Sequence, residues 1–358
     1  MHIPDGYLSP STCAVMYGGA GVSWYAALRR LRRTLNARMV PLIAVFAAFS
    51  FLVMMFNLPL PGGTTGHALG VTIAAIVLGP SGAILAVSIA ITIQALFFGD
   101  GGITTLGANC FNIAVVGSLV AYGSYRLIAV GASLASRRQV VAAALAGYIA
   151  SNAAALVTAV EFGIQPLLFH KADGTPLYAP YALGVAIPVM MAGHLMVAGV
   201  AEALITAGLV AYLQVADPAL LQNTAGDTPA ESELPITAAS TRRLWIVITL
   251  VLLLTPLGIL AGGKAWGEWS TAEYSQKSSR DRIAGASANQ APPSEAPSGL
   301  RRLSSVWTAP APNYAPQFVK SAEFGYLLSA MFGVGCILAV TLVLRIFVAR
   351  RAAAGSVP

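Results

Sequence analysis

Long stretches with almost no charge recur along the chain, and they leave few folds open. The runs Leu8 to Leu28, Val40 to Asn57, Thr105 to Ile128, Val140 to Ile164, Tyr181 to Leu213, Leu244 to Leu260 and Phe324 to Phe347 reach or approach the ~20 apolar residues that cross a bilayer as one helix. In hydrocarbon the backbone must satisfy its own N–H and C=O groups, so runs of this length are read as helices. With 56% hydrophobic and only 10% charged residues, the composition lies far from that of a soluble globular domain. The expected fold class is an all-α integral membrane protein.

Between the second and third runs lies Ala68 to Phe98, apolar but broken by Gly79, Pro80, Ser81 and Gly82. It reads as two short helices or a re-entrant hairpin, and either form returns the chain to the side it came from. Interrupted helices survive at membrane depth only where protein or a cavity covers their backbone, which places this region in the interior near a binding site.

Charge placement gives the orientation. With the N-terminus outside, Arg29, Arg30, Arg32, Arg33, Arg38, Arg126, Arg137, Arg138, Arg242, Arg243, Arg345, Arg350 and Arg351 all fall on the cytoplasmic side, and the short outer loops carry only Lys171. This gives about nine spans, the broken pair counted as two, with the C-terminus cytoplasmic. The formal charge of +7 therefore serves orientation toward membrane lipid, and no nucleic-acid partner is expected. The three cysteines, Cys13, Cys110 and Cys336, sit in separate apolar runs and indicate neither a disulfide framework nor a thiolate metal site.

Gln214 to Thr241 is polar, acidic and rich in Ala, Thr and Pro, the composition of a cytoplasmic linker. It separates a membrane-embedded component, residues 1–213 with about seven helices, from a C-terminal unit, residues 242–358. There two helices flank an extracytoplasmic loop, 262–321, whose stretch Ser287 to Pro312 is low in complexity and reads as mobile. No inverted repeat is visible, which weakens a secondary-transporter reading.

The opening MHIPDGYLSP lacks a basic leader region, so the mature chain is expected to begin at Met1, and the large His2 should protect that methionine from trimming. His2 then lies beside a free α-amino group. That amine, the deprotonated His2 amide nitrogen and the His2 imidazole can close two fused chelate rings on one metal ion. A fourth nitrogen would complete a square-planar set, the geometry that suits Ni(II) or Cu(II). His67, in the outer-loop sequence PGGTTGHALG, is the candidate. Pro4, Asp5 and Gly6 can turn the first residues inward, and Ser9 with Pro10 resembles a helix cap followed by the first helical residue. The opposing reading is a frayed terminus; residues 1–10 taken alone leave both open.

Other polar residues lie in apolar surroundings. Gln94, Thr104, Thr105, Asn109 and Asn112, in and around GDGGITTLGANCFN, can orient metal-bound imidazoles or join helices. His194 and Glu202 lie deep in one apolar run, where ionisable groups suggest function; the small residues around them equally suggest helix contact. The sequence contains no G-x-x-x-x-G-K-[ST], H-E-x-x-H or G-x-S-x-G pattern, so no ATPase, metalloprotease or esterase chemistry is expected of this chain.

MHIPDGYLSP, GHALG, GDGGITTLGAN and MAGHLMVAG together resemble the CbiM/NikM-type substrate-binding components of energy-coupling-factor cobalt and nickel transporters, over about the first 215 residues. The resemblance implies a metal held by the Met1 amine, the His2 amide and imidazole and the His67 imidazole, with Ni2+ or Co2+ as transported substrate. It also implies a transmembrane coupling subunit and cytoplasmic ATPase subunits as partners, in a bacterial inner membrane. TPLGILAGGKAWGEWS is similar to the two-helix accessory component, and its AWGEW tilts the expectation toward nickel. Two rival readings are a gradient-driven metal permease using Glu161, His194 and Glu202, and a membrane metal sensor.

Overall fold

The computed structural model describes residues 1–34, 39–225 and 238–354, and these are overwhelmingly helical. Helix α1 (Pro10–Thr34) starts as its sequence suggests: the Thr12 N–H donates to Ser9 Oγ at 3.1 Å, one turn into a helix that opens on Pro10. Helix α2 (Met39–Met54) is apolar all round and almost wholly buried. A hairpin of β1 (Leu58–Leu60) and β2 (Thr64–Gly66) then delivers His67 to α3 (Val71–Ile93). The chain continues through α4 (Leu106–Asn109), α5 (Gly117–Ala129), α6 (Arg137–Leu168), α7 (Leu183–Gly193) and α8 (Gly199–Ala216). Helix α6 packs on α5, α7 and α8, while α3 is wedged between α2 and α5.

Among the described residues six helical stretches are long and apolar enough, by length and composition, to cross a membrane: Val71–Phe98, Leu106–Ile128, Arg137–Leu168, Leu183–Ala216, Arg242–Leu260 and Ala322–Ile346. Helix α2 has only 16 residues, and α1 is diluted by glycines, hydroxyl residues and Tyr17, Trp24 and Tyr25. Large apolar side chains such as Leu127, Leu168, Leu204 and Leu250 point outward, a surface suited to lipid rather than water. The protein is a mostly helical membrane protein.

Val71–Phe98 does not run straight. Its 28 residues would separate the ends by ~42 Å in a continuous helix. Instead His67, just before it, stacks on His2 with ring centroids 5.1 Å apart, and Asp100, just after it, lies 2.8 Å from the same His2. The segment turns back at Gly79, whose φ of 70° and ψ of 169° break the helix ahead of Pro80. A left-handed φ and a missing N–H at consecutive residues make that turn possible.

After α8 the chain forms α9 (Ala219–Ala225), which packs against α3 with Leu220 and Leu221 buried, so this part of the expected linker is ordered helix. Residues 226–237 of that linker, like Arg38, lie outside the described residues. Helix α10 (Ala238–Leu254) and α14 (Ala322–Ala354) lie along α2. The segment between them carries α11 (Thr271–Ser275), α12 (Lys277–Ala286) and α13 (Ser298–Leu303).

Composition misleads at Ser287 to Pro312, which is built into the fold instead of mobile. The Gly299 N–H donates to Leu177 O at 2.7 Å, the Ala311 N–H to Phe97 O at 3.0 Å, and Trp307 Nε1 to Leu96 O at 2.8 Å, with Leu300 buried beneath. Near the start of the 262–321 segment the Thr65 N–H donates to Lys264 O at 3.1 Å, which extends the β1–β2 hairpin. Main-chain bonds of this kind do not depend on side-chain complexity. The 262–321 segment is thus a cap laid over the end of the bundle that holds His2.

Two glycines let the C-terminal helices approach. A Cβ at Gly258 would lie 2.1 Å from Met55 O, and one at Gly333 would lie 2.1 Å from the ring of the fully buried Phe51. Gly333→Val is expected to lower stability by about 1–3 kcal/mol or more through overpacking. A fall in the thermal unfolding midpoint of the detergent-solubilised protein would show it, and an unchanged midpoint would refute the contact.

Candidate metal centre

The N-terminus is a fixed, buried element and not a frayed tail: Met1 is 4%, His2 1% and Ile3 0% exposed. The Ile3 N–H donates to Asn109 Oδ1 at 2.7 Å, and Ile3 O accepts from Asn109 Nδ2 at 3.1 Å, from the Gly102 N–H at 2.9 Å and from Thr105 Oγ1. Asp5 accepts from the Ile103 N–H at 3.1 Å and from the N–H of Thr104 at 2.7 Å, as well as from its hydroxyl. A Cβ on Gly102 would fall 2.3 Å from the Asp5 nitrogen, so the GDGG loop needs glycine there to lie against the terminus.

Two residues beyond Ile3's neighbour, the chain turns at Gly6 (φ 88°) under α13, and the Ser9 N–H donates to Gln165 Oε1 at 2.9 Å. What these bonds aim inward is the first dipeptide. Neither ring nitrogen of buried His2 has a hydrogen-bond partner, although Nδ1 lies 2.8 Å from Asp100 Oδ1; the contact is close but not aligned as a hydrogen bond. His67 stacks on the His2 ring at an interplanar angle of 27°, and its Nδ1 lies 3.0 Å from Ala68 O. With Nδ1 donating to that carbonyl, the His67 lone pair sits on Nε2, the arrangement usual for a metal-binding imidazole.

Two acidic residues that sequence reasoning did not single out complete the surroundings. Asp100 faces His2, and Glu268 Oε1, from the cap, lies 4.0 Å from the Met1 amine. Burial by itself would raise the Asp100 carboxyl, but His2 beside it, His67 and the Tyr314 hydroxyl together hold it well below the usual carboxylate range. Burial raises the Glu268 carboxyl, against the pull of the α-amino group. His67 is held well below the ordinary histidine value by burial first and then by the nearby α-amino charge and His2, so its ring stays neutral and open to a metal.

The polar residues expected to hold the imidazoles hold other groups. Asn109 and Thr105 clamp the Ile3 backbone, and Thr104 clamps Asp5. Gln94 donates to the Tyr314 hydroxyl at 3.0 Å, which in turn donates to Asp100 at 2.6 Å, so Gln94 reaches His2 only through two intermediaries. Asn112 lies away from the imidazoles and donates to Thr158 Oγ1 at 3.1 Å and Glu161 Oε2 at 2.8 Å. His194 Nδ1 lies 2.8 Å from Met190 O.

Glu202 accepts the N–H groups of Leu69, Gly70 and Thr72 at 2.7, 2.9 and 3.3 Å, pinning the loop between His67 and α3. A carboxylate at the exposed amides of a helix start is favoured by both hydrogen bonding and the helix dipole. Glu202→Gln replaces one acceptor oxygen with an NH2 group that faces donors. The variant is expected to lose about 1–3 kcal/mol of stability and some metal affinity through the displaced His67 loop; unaltered thermal unfolding would contradict this.

Among the described residues no three His, Cys, Asp or Glu side chains are grouped to hold a metal ion.

Fold and site together define a helical membrane protein that buries its own first residues beside a histidine under a cap formed by its C-terminal third. Residues 2–220 match the family described as the cobalt uptake substrate-specific transmembrane region, CbiM. The chain belongs to the CbiM family, whose members are transport proteins and not enzymes. It is 53% identical to the fused nickel transport protein NikMN of Rhodobacter capsulatus over 339 residues, 95% of either chain. It is 40% identical to the probable fused nickel transport protein LarMN of Lactiplantibacillus plantarum over 79% of this chain and 82% of that one. A crystal structure of a truncated transition metal transporter, 51% identical, superposes with a TM-score of 0.56 over 60% of this chain and 98% of that one.

Proposed function

We propose that this chain captures Ni2+ for import across the cytoplasmic membrane, as the fused substrate-capture and accessory component of an energy-coupling-factor transporter. The family and the full-length similarity to fused nickel transport proteins support this reading. The observation that carries it is the buried His2, whose Nε2 has no hydrogen-bond partner and whose Nδ1 faces Asp100, stacked on His67 at the end of a terminus that Asn109 and Thr105 hold in place. With Met1 as the first residue, its amine, the His2 amide nitrogen and the His2 imidazole supply three nitrogens and His67 Nε2 the fourth, a planar set that suits Ni(II). The cap would close the site on its outer side, with the N-terminus outside and the C-terminus in the cytoplasm. ATP hydrolysis would come from cytoplasmic partner subunits through a transmembrane coupling subunit.

The permease reading fares less well. Glu202 is committed to three backbone amides and Glu161 to Asn112, and neither bonds His194. Metal analysis of purified protein offered nickel and cobalt in competition tests the proposal: one nickel per chain is expected, and a protein that takes up neither ion would overturn it.

Affinity should rise with pH. Metal replaces protons on the amine and the His2 amide, so each proton displaced strengthens binding roughly tenfold per pH unit until that group is already deprotonated. His67 does not add to this dependence near neutrality, because its depressed value leaves the ring neutral there. Calorimetric titration in buffers of different ionisation enthalpy would count the protons released; none released would refute the amide ligand.

A further inference from the structure

His194 sits where α7 gives way to a π-helical turn, His194–Ala198, a distortion that re-aims side chains and recurs at functional sites. The ring is 2% exposed. Its Nδ1 lies 2.8 Å from Met190 O, which fixes Nδ1 as the donor and leaves the lone pair on Nε2. That Nε2 is buried without a hydrogen-bond partner. His194 and Met1 line one cavity of about 10 Å³, together with Thr64, Thr65 and Trp266, a space for no more than one small polar group.

A primary amine that gives its lone pair to a metal keeps two N–H bonds, and in a dry site each needs an acceptor. Glu268 Oε1, 4.0 Å from the amine, offers one. We infer that His194 Nε2 is the other: it accepts a hydrogen bond from the metal-bound Met1 amine and holds that nitrogen in the plane of the chelate. This makes His194 a positioning residue of the nickel site and not a ligand. The inference rests on the reading of Met1, His2 and His67 as the ligands.

The test compares His194→Phe, which fills the ring's place without an acceptor, with His194→Gln, whose carbonyl oxygen can accept. Nickel titrations of the full chain in detergent should show a loss of 10–100-fold for His194→Phe, the range typical of partners that orient a metal ligand, and recovery to within a few-fold for His194→Gln. The visible absorption of planar nickel should keep its position in both. Equal affinity in wild type and His194→Phe overturns the inference, and so does an equal loss in both variants. A shifted nickel absorption in His194→Gln also overturns it, because it would make His194 a ligand. If His194→Phe does not fold, His194→Leu takes its place in the comparison. A chain extended by two residues before Met1 separates the two levels: nickel binding that survives extension defeats the ligand assignment itself, whereas binding that is lost on extension but unaffected by His194→Phe defeats only the role of His194.

Discussion

Two residues added ahead of Met1 are expected to reduce nickel affinity by more than about a hundredfold, beyond what loss of a supporting partner costs. The extension converts the α-amine into a peptide amide and moves the new amine away from His2, which removes one nitrogen donor and with it one of the two fused chelate rings; a single added residue would instead place a new amine and a second amide nitrogen in line with His2 and rebuild a four-nitrogen chelate. Space acts in the same direction. Met1 is buried, Glu268 lies 4.0 Å from its nitrogen, and the cavity beside it holds about 10 Å³. The extra residues must therefore also dislodge the terminus from the cap. Isothermal titration with nickel, together with a thermal unfolding curve on the same sample, separates loss of the donor from loss of the fold. Full nickel affinity in a folded, extended protein would end the assignment of Met1 and His2 as ligands.

His67→Ala ranks second, at roughly a hundredfold, or about 2.7 kcal/mol of binding free energy. It leaves the three nitrogens of Met1 and His2 in place and removes only the fourth. His67 touches the terminus through its stacking on His2 but gives it no hydrogen bond, a task that falls to Asn109, Thr105 and the Gly102 N–H on Ile3. The protein should accordingly stay folded while the planar nickel spectrum changes as water replaces the imidazole. Wild-type affinity with an unaltered spectrum would remove His67 from the site.

Much of this was legible in the sequence because a bilayer simplifies the code: an apolar run of sufficient length has one structural outcome. The break at Gly79 and Pro80 likewise has few outcomes, and the chain does turn back there. His2 and His67 could be paired because a histidine next to a terminus has a distinctive chelating chemistry. Asp100 was harder to find, since an acid between glycines in an outer loop is ordinary until the fold brings it within 2.8 Å of His2. Glu268 lies 267 positions from the group it faces, with no periodicity to link the two. Asn109 and Thr105 bond the Ile3 main chain, and a sequence does not reveal whether an amide or hydroxyl side chain will find main chain or imidazole. The cap is hidden from the sequence for a related reason. Ala, Pro and Ser signal mobility when alone, but the Gly299 and Ala311 amides find carbonyls on other parts of the fold.

The Tyr314 hydroxyl that reaches Asp100 and the Glu268 carboxylate near Met1 belong to the same polypeptide as the site they cover. Their encounter is therefore a first-order event. Its equilibrium is set by an effective concentration that tethering typically raises to the millimolar range, and it does not vary with how much protein the cell makes. A 242–358 fragment supplied separately to a chain truncated after the linker would have to accumulate to that level to cover the site as often. Fusion thus fixes the ratio of cap to site at one and makes the covered state independent of expression.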